Sequence, residues 1–278
     1  MNIRLHRSWI APGLVVLLAA INFAGAMDEE PDPSPARPST SQAPGNPPVP
    51  QSSNPKQQPT FFKQLAIDFK NVFTTRENLW ILGGGLGASL AVKPLDDDIS
   101  NGRFNSEGPG GVGLDRIFES GEIVGGALFQ VGTAVTTFGM GKLFANLELE
   151  NFGRDLVRAQ IVTQGLTQAG KHAVRRMRPD GSSKKSFPSG HSSGTFATAT
   201  VIQRHFGWRL GGPAYGLASY VAASRLSENK HYLSDVVFGA AVGILVGRTV
   251  TFDVGQSRFQ VSAAVVPSGA GVRVSLAH

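Results

Sequence analysis

From Phe61 onward the apolar positions recur at helical spacing. Phe61, Phe62, Leu65, Ile67, Phe69 and Phe73 predict a short amphipathic helix. Residues 79–92 are apolar and glycine-rich, and 123–141 are nineteen consecutive uncharged residues. The stretch 151–177 is long and amphipathic, and 189–206, 212–226 and 232–249 complete the helical set. Between the second and third of these, 93–112 reads as a polar loop holding Asp96, Asp97 and Asp98. Period-two alternation is absent until Arg258, where 258–266, a Pro-Ser-Gly-Ala-Gly turn and 272–277 predict a hairpin. The expected fold class is therefore all-α: a helical bundle over 61–252 with a small C-terminal β-hairpin over 253–278.

Only 123–141 approaches the roughly 18 uncharged residues that a membrane span needs. Nine of its nineteen residues are Gly, Thr or Gln, and the apolar run after Asp235 meets Arg248 after twelve residues. Helices buried against one another in a soluble bundle are the preferred reading. Close glycine-mediated packing serves either environment.

The N-terminus reads differently. Residues 1–26 carry Arg4 and Arg7, an apolar run over 9–21 and a terminal Ala24-Gly25-Ala26. A basic start, a short apolar stretch and a small-x-small site describe a cleaved secretory signal peptide. An uncleaved anchor is the weaker reading, because the apolar run is shorter than a comfortable span of about 20 residues. Residues 27–60 hold ten of the seventeen prolines and no aromatic residue. Such a segment cannot bury enough surface to offset its ordering entropy, so it reads as an extended, disordered tether. The expected location is outside the cytoplasm, periplasmic or on the outer side of the bacterial inner membrane.

Composition narrows the chemistry. The 278 residues include no cysteine, which excludes disulfides, cysteine-ligated metals, a thiol nucleophile and a lipidated cysteine. Mean hydropathy is −0.04, unlike a chain made mostly of membrane spans. The net charge is +6, and it stays +6 over 61–278 once the +2 of residues 1–26 and the −2 of 27–60 are removed. A basic exported domain suits an anionic substrate or an anionic membrane surface. No basic run is interleaved with stacking aromatics, so nucleic acid is not expected as a partner.

Three motifs carry candidate chemistry. In the first, Lys171 and Arg178 lie seven residues apart before Pro179. On one helix both cations would project from one face about 10.5 Å apart along the axis. Arg175 and Arg176 read as a solvated basic face. In the second, Pro188-Ser189-Gly190-His191 precedes a small, apolar helix. Its free N–H groups make an anion cradle, and Gly190 allows close approach. In the third, Ser224-Arg225 is followed by His231 and Asp235. Four apart on a helix, Asp235 would fix the His231 tautomer and leave Nε2 free to attack. Each motif alone has a bland reading as a basic face, a helix cap or a surface pair. Together they suit a tetrahedral oxyanion with a nucleophile on one side and an acid on the other. The other histidines read as bland, His172 beside Lys171 and His205 at a helix C-terminus. Asp96, Asp97 and Asp98 read as a solvated loop in preference to a metal site.

Lys171-x6-Arg178-Pro179, Pro188-Ser189-Gly190-His191 and Ser224-Arg225-x5-His231-x3-Asp235 resemble the three-part signature of the type 2 phosphatidic acid phosphatase (PAP2) and vanadium haloperoxidase superfamily. Eleven specified residues match, with strong coverage over about 171–240. One departure is the gap of eight residues between Pro179 and Pro188, shorter than the family pattern, which puts in doubt any lid or specificity element built there. The resemblance implies a phosphatase that needs no metal or other cofactor. Lys171, Arg178, Arg225 and the Ser189 and Gly190 backbone would hold the phosphoryl oxygens. His231, oriented by Asp235, would form a phosphohistidine, and His191 would protonate the leaving oxygen and then activate water. Expected substrates are lipid phosphates or diphosphates, such as phosphatidate or a polyprenyl diphosphate. The alternatives are a secreted acid phosphatase on soluble phosphomonoesters, a vanadium-dependent haloperoxidase, or a non-catalytic phosphate-binding module of the envelope.

Overall fold

Helix boundaries fall where the backbone turns extended or a side chain caps the first turn. The computed structural model describes residues 60–103, 114–252, 258–266 and 269–277; the expected signal peptide and nearly all of the tether lie outside these. Helix α1 (Phe61–Thr74) is separated from α2 (Arg76–Val92) by Thr75 in an extended conformation. The uncharged run 123–141 is not one helix: α3 (Leu114–Gly125) and α4 (Ala127–Leu143) break at Gly126, which is extended. Helix α5 (Leu147–Val174) starts where the Asn146 side chain accepts the Leu149 N–H at 2.9 Å, with Glu148 and Glu150 in its first turn. Both features satisfy the free N–H groups and the partial positive charge of a helix start. Helices α6 (Gly190–Phe206), α7 (Trp208–Ser227) and α8 (Leu233–Val250) complete the set.

The expected open loop after α2 is instead wound for its first eleven residues. A 3-10 turn (Lys93–Leu95), one α turn (Asp96–Asp98) and a π-type turn (Ile99–Arg103) follow α2 directly. The reason is that Asp96 is drawn inside, 3% exposed, by partners on α8 and after α5.

Helix α8 is the central element, packed against α6, α2 and α5, while α4 lies along α5 and α3 along α7. Val162, Val201, Leu245 and Val246 are fully buried where these helices meet. Each such side chain contributes about 1.5–3 kcal/mol on burial. Glycine at every fourth position sets the α6–α8 distance. A Cβ on Gly239, Gly243 or Gly247 would stand 2.6 Å from Ser189 O, 2.4 Å from Ser193 O and 2.5 Å from Thr200 Cβ. This close crossing brings the N-terminus of α6 beside the N-terminus of α8.

The interior also holds a charged chain. Arg158 bonds Asp68 through Nε and Nη2 and Asp155 through Nη1, each at 2.7 Å. His205 Nε2 lies 3.0 Å from Asp155 Oδ2, so His205 belongs to this buried network and is not a simple helix-end residue. Asp68 and Arg158 are 1% and 6% exposed. Among the described residues α8 alone is long and apolar enough to cross a membrane, and 61% of it is buried inside the bundle. Segments Arg258–Val266 and Gly269–Ala277 pair antiparallel, with Val261 opposite Val274.

Candidate active site

The site forms where three chain segments meet: the end of α5 with the loop behind it, the start of α6, and the α7–α8 turn. Lys171 lies in the last turn of α5 and is 8% exposed. Its Nζ donates to the carbonyls of Lys185 (2.6 Å) and Pro188 (2.8 Å), so one of three ammonium donors remains for a ligand. Arg178 does not share a helix with Lys171. Helix α5 stops at Val174, and Arg175 adopts a left-handed conformation (φ 50). The chain turns there, well before Pro179, and carries Arg178 in by a different route. Arg178 N–H bonds Ser183 O and Ser186 N–H bonds Arg176 O, pinning this loop.

Arg225, in the last turn of α7, is 2% exposed and donates to Ser224 Oγ at 3.3 Å and to the Glu228 carboxylate. The buried Nε of Arg178 has no partner among the described residues. At the start of α6, the N–H groups of Gly190 and His191 have no backbone partner among the described residues, as the geometry of a helix start dictates. Ser189 departs from expectation. Its N–H is spent on Asp235 O at 3.1 Å, and its Oγ receives the Ser192 N–H at 3.5 Å. Ser189 therefore builds the cap and ties α6 to α8, and the free donors are those of Gly190 and His191.

His231 also differs from expectation. It lies outside α8, before the N-cap residue Tyr232, and its N–H donates to Arg225 O at 3.3 Å. Its Nδ1 is 3.8 Å from Asp235 Oδ2, beyond hydrogen-bond reach, and is buried without a hydrogen-bond partner among the described residues. The pair is therefore a product of the turn geometry and not of a shared helical face. His191 Nε2 contacts Glu122 O at 3.2 Å, beneath α3. A Cβ on Gly125 would stand 2.8 Å from His191 Cδ2, so α3 roofs this histidine closely.

The electrostatics follow from crowding cations in a buried space. Burial, then the Arg178 charge, lowers Lys171 to about 8. Burial, then Arg225 and His231, pushes His191 down to about 4. Burial also lowers His231, opposed by Asp235 and reinforced by Lys171 and Arg178. Both shifts favour the neutral imidazole. Lys171, Arg225, His191 and His231 each feel the Arg178 charge, and His191 also feels Arg225 and His231. A bound anion would relieve this repulsion.

Sequence reasoning missed four residues of this region. Arg176, read as a solvated cation, donates to Asp235 Oδ1 and to Asp96 Oδ2, both at 2.8 Å. Its guanidinium also lies 3.8 Å from the Tyr232 ring centre. Asp96 is a buried ion-pair partner and not a solvated loop residue. Ser186 Oγ donates to Asp235 Oδ2, and Ser234 Oγ to Asp96 Oδ2. The spacing of Arg176 in the first motif carries no signal that it turns inward.

Buried cations, helix N–H groups and two histidines held toward the neutral form are the groups that binding a tetrahedral oxyanion requires. Residues 153–258 match the model of the PAP2 superfamily. The chain is 34% identical over 170 residues to a lipid A 1-phosphatase of Porphyromonas gingivalis, covering 58% of this chain and 35% of that protein. It is 39% identical over 89 residues to the decaprenylphosphoryl-5-phosphoribose phosphatase of Mycobacterium tuberculosis, covering 29% and 49%. The chain thus spans about a third to a half of the length of these curated relatives. The crystal structure of Aquifex aeolicus LpxE overlays with a TM-score of 0.44 at 20% identity, covering 58% of this chain and 93% of that one.

Proposed function

We propose that this chain is a metal-independent phosphatase that hydrolyses a lipid phosphate through a phosphohistidine. The observation that carries the reading is the convergence of Lys171, Arg178 and Arg225 with the α6 N-terminus on His231. His231 Nε2 would attack phosphorus as the P–O ester bond breaks. The three cations, with the N–H groups of Gly190 and His191, would hold the non-bridging oxygens as charge develops. His191 would give its proton to the leaving oxygen. It would then take a proton from the water that cleaves the P–N bond. Such general acid–base work contributes about 10²–10⁴ in rate. Burial, then the Arg225 and His231 charges, lowers His191 to about 4. A bound phosphate dianion cancels those charges and charges the imidazole when it is needed.

A lipid substrate is supported by the lipid-phosphate relatives and by the outer faces of α2 and α4. Trp80, Leu86 and Leu90 on α2, and Leu128, Val131 and Val135 on α4, are exposed, and α4 carries no charge before Lys142. Large exposed apolar surface marks contact with a membrane or a partner. We therefore read the protein as membrane-associated, exported by residues 1–26 and tethered by 27–60, with the domain at 61–252 and a β-hairpin unit at 253–278. The location would be the periplasmic side of the inner membrane.

The test measures phosphate release by the purified protein in detergent, with EDTA present, from phosphatidate and from a soluble aryl phosphate. Release that persists in EDTA and is lost in His231→Ala is expected, with phosphatidate preferred. His191→Ala should accumulate an acid-labile, alkali-stable phosphoprotein. Turnover by His231→Ala would refute the mechanism, and a preference for the aryl ester would refute the lipid assignment.

A further inference from the structure

The position of His231 outside α8 raises the question of what aims Asp235 at it. Asp235 is fully buried, and both of its oxygens are committed. Oδ2 accepts the Ser186 hydroxyl and the Tyr232 N–H (3.0 Å), while Oδ1 accepts Arg176 Nη1 (2.8 Å). Arg176 is itself held from behind. Its Nη2 bonds Asp96 Oδ2, whose carboxylate also takes the N–H (2.9 Å) and hydroxyl (2.6 Å) of Ser234, and Tyr232 stacks on its guanidinium. Two buried carboxylates thus share one cation, and none of these three groups belongs to the phosphate cradle. Asp96 comes from the turn after α2, far from the motifs in sequence.

We propose that Arg176, backed by Asp96, is a positioning device that keeps Asp235 ionised and its Oδ2 turned to His231 Nδ1. This rests on the phosphohistidine reading above. Attack through Nε2 requires the proton on Nδ1, and the imidazolium formed on phosphorylation requires a carboxylate beside it. The present 3.8 Å must shorten by about 1 Å for a hydrogen bond to form. Arg176 is the only guanidinium bonded to Asp235 among the described residues, and by holding Oδ1 it fixes the rotation of the carboxylate together with Ser186 and the Tyr232 N–H on Oδ2. Without it, Asp96 and Asp235 lose their shared cation in a buried space. One of them then takes up a proton, as close carboxylates do. The charged and titratable groups facing Asp235 are Arg176, Asp96, His231, Lys171 and Tyr232. Of these, Lys171 alone remains as a cation when Arg176 is removed, and it serves the cradle.

The test compares Arg176→Gln, Arg176→Lys and Asp96→Asn with the wild type on a soluble aryl phosphate across pH 5–9. Arg176→Gln should lower kcat by about 10–100-fold, the range for partners that orient an active group from behind. KM and the affinity for inorganic phosphate should stay within about twofold, since Arg176 does not touch the ligand. The acid limb of kcat should move upward by at least one pH unit. Arg176→Lys should recover at least a third of the loss in log kcat, and Asp96→Asn should shift the same limb by less. A structural role would instead lower thermal stability and leave the pH profile of the remaining active protein unmoved. An independent readout is the ¹⁵N signature of the His231 ring, expected as the Nδ1–H tautomer in the wild type and as a tautomer mixture in Arg176→Gln. An unchanged tautomer, or an unmoved acid limb, would overturn the proposal. A wild type without turnover but with the expected tautomer change would sink the phosphatase reading and spare this one. If Arg176→Gln fails to fold, the same two readouts on Arg176→Lys and Asp96→Asn decide.

Discussion

Replacing Gly243 by alanine adds one methyl group at the tightest point of the α6–α8 crossing. The new Cβ would stand 2.4 Å from Ser193 O, 2.8 Å from Ala197 N and 2.8 Å from Phe196 Cβ. Two of these atoms are backbone, so no rotamer change relieves the clash, and the helices must separate by about 1 Å to restore ordinary contact. Overpacking of this kind costs about 1–3 kcal/mol, and a site closed by backbone belongs at the upper end. Alanine recovers about 1 kcal/mol of helix propensity over glycine. The net destabilisation is then about 2 kcal/mol, or a fall in Tm of about 4–8 °C for a domain of this size. Gly132 on α4 is the control, because a Cβ there meets nothing within 4 Å. Gly132→Ala should raise stability by up to about 1 kcal/mol through propensity alone. Thermal unfolding in detergent, followed by circular dichroism, measures both. Activity should fall in Gly243→Ala even below its Tm, because the same crossing places Ser189 N–H on Asp235 O. A Gly243→Ala protein as stable as the wild type, or a Gly132→Ala protein equally destabilised, would refute the packing argument.

Other expectations concern charge. The affinity for inorganic phosphate should weaken as pH rises above about 8, where Lys171 in the empty site loses its proton, and Lys171→Gln should lack this dependence. At pH 6 binding of sulfate, a dianion that does not titrate there, should take up protons, because burial and then Arg225 and His231 hold His191 near 4 and a bound dianion offsets the neighbouring charges; calorimetry in buffers of different ionisation heat measures the uptake, and its absence would contradict the acid role. Asp68→Ala leaves the buried Arg158 with Asp155 alone and should destabilise the fold by about 3–5 kcal/mol in denaturant titrations, without changing KM.

The chain itself displays its helices, because an amphipathic helix repeats its apolar positions every three to four residues and needs no distant partner to do so. The residues of the cradle were legible for a related reason: phosphate chemistry demands cations, a helix start and histidines, and those types stand at fixed spacing in 171–235. Spacing did not disclose how they are delivered. Lys171 and Arg178 reach the site from a helix end and from the loop beyond it, because Arg175 turns left-handed. His231 meets Asp235 from outside the helix, and Ser189 spends its N–H on α8 rather than on a ligand. Arg176 and Asp96 look solvent-facing in sequence, since nothing near either one in the chain is its partner. Their bond spans eighty residues, and that of Asp96 to Ser234 spans 138. Local pattern records what each residue can do with its neighbours along the chain. Which buried charge meets which is decided only when α2, α5 and α8 close on one another, because a desolvated carboxylate is stable only where a distant donor is brought to it.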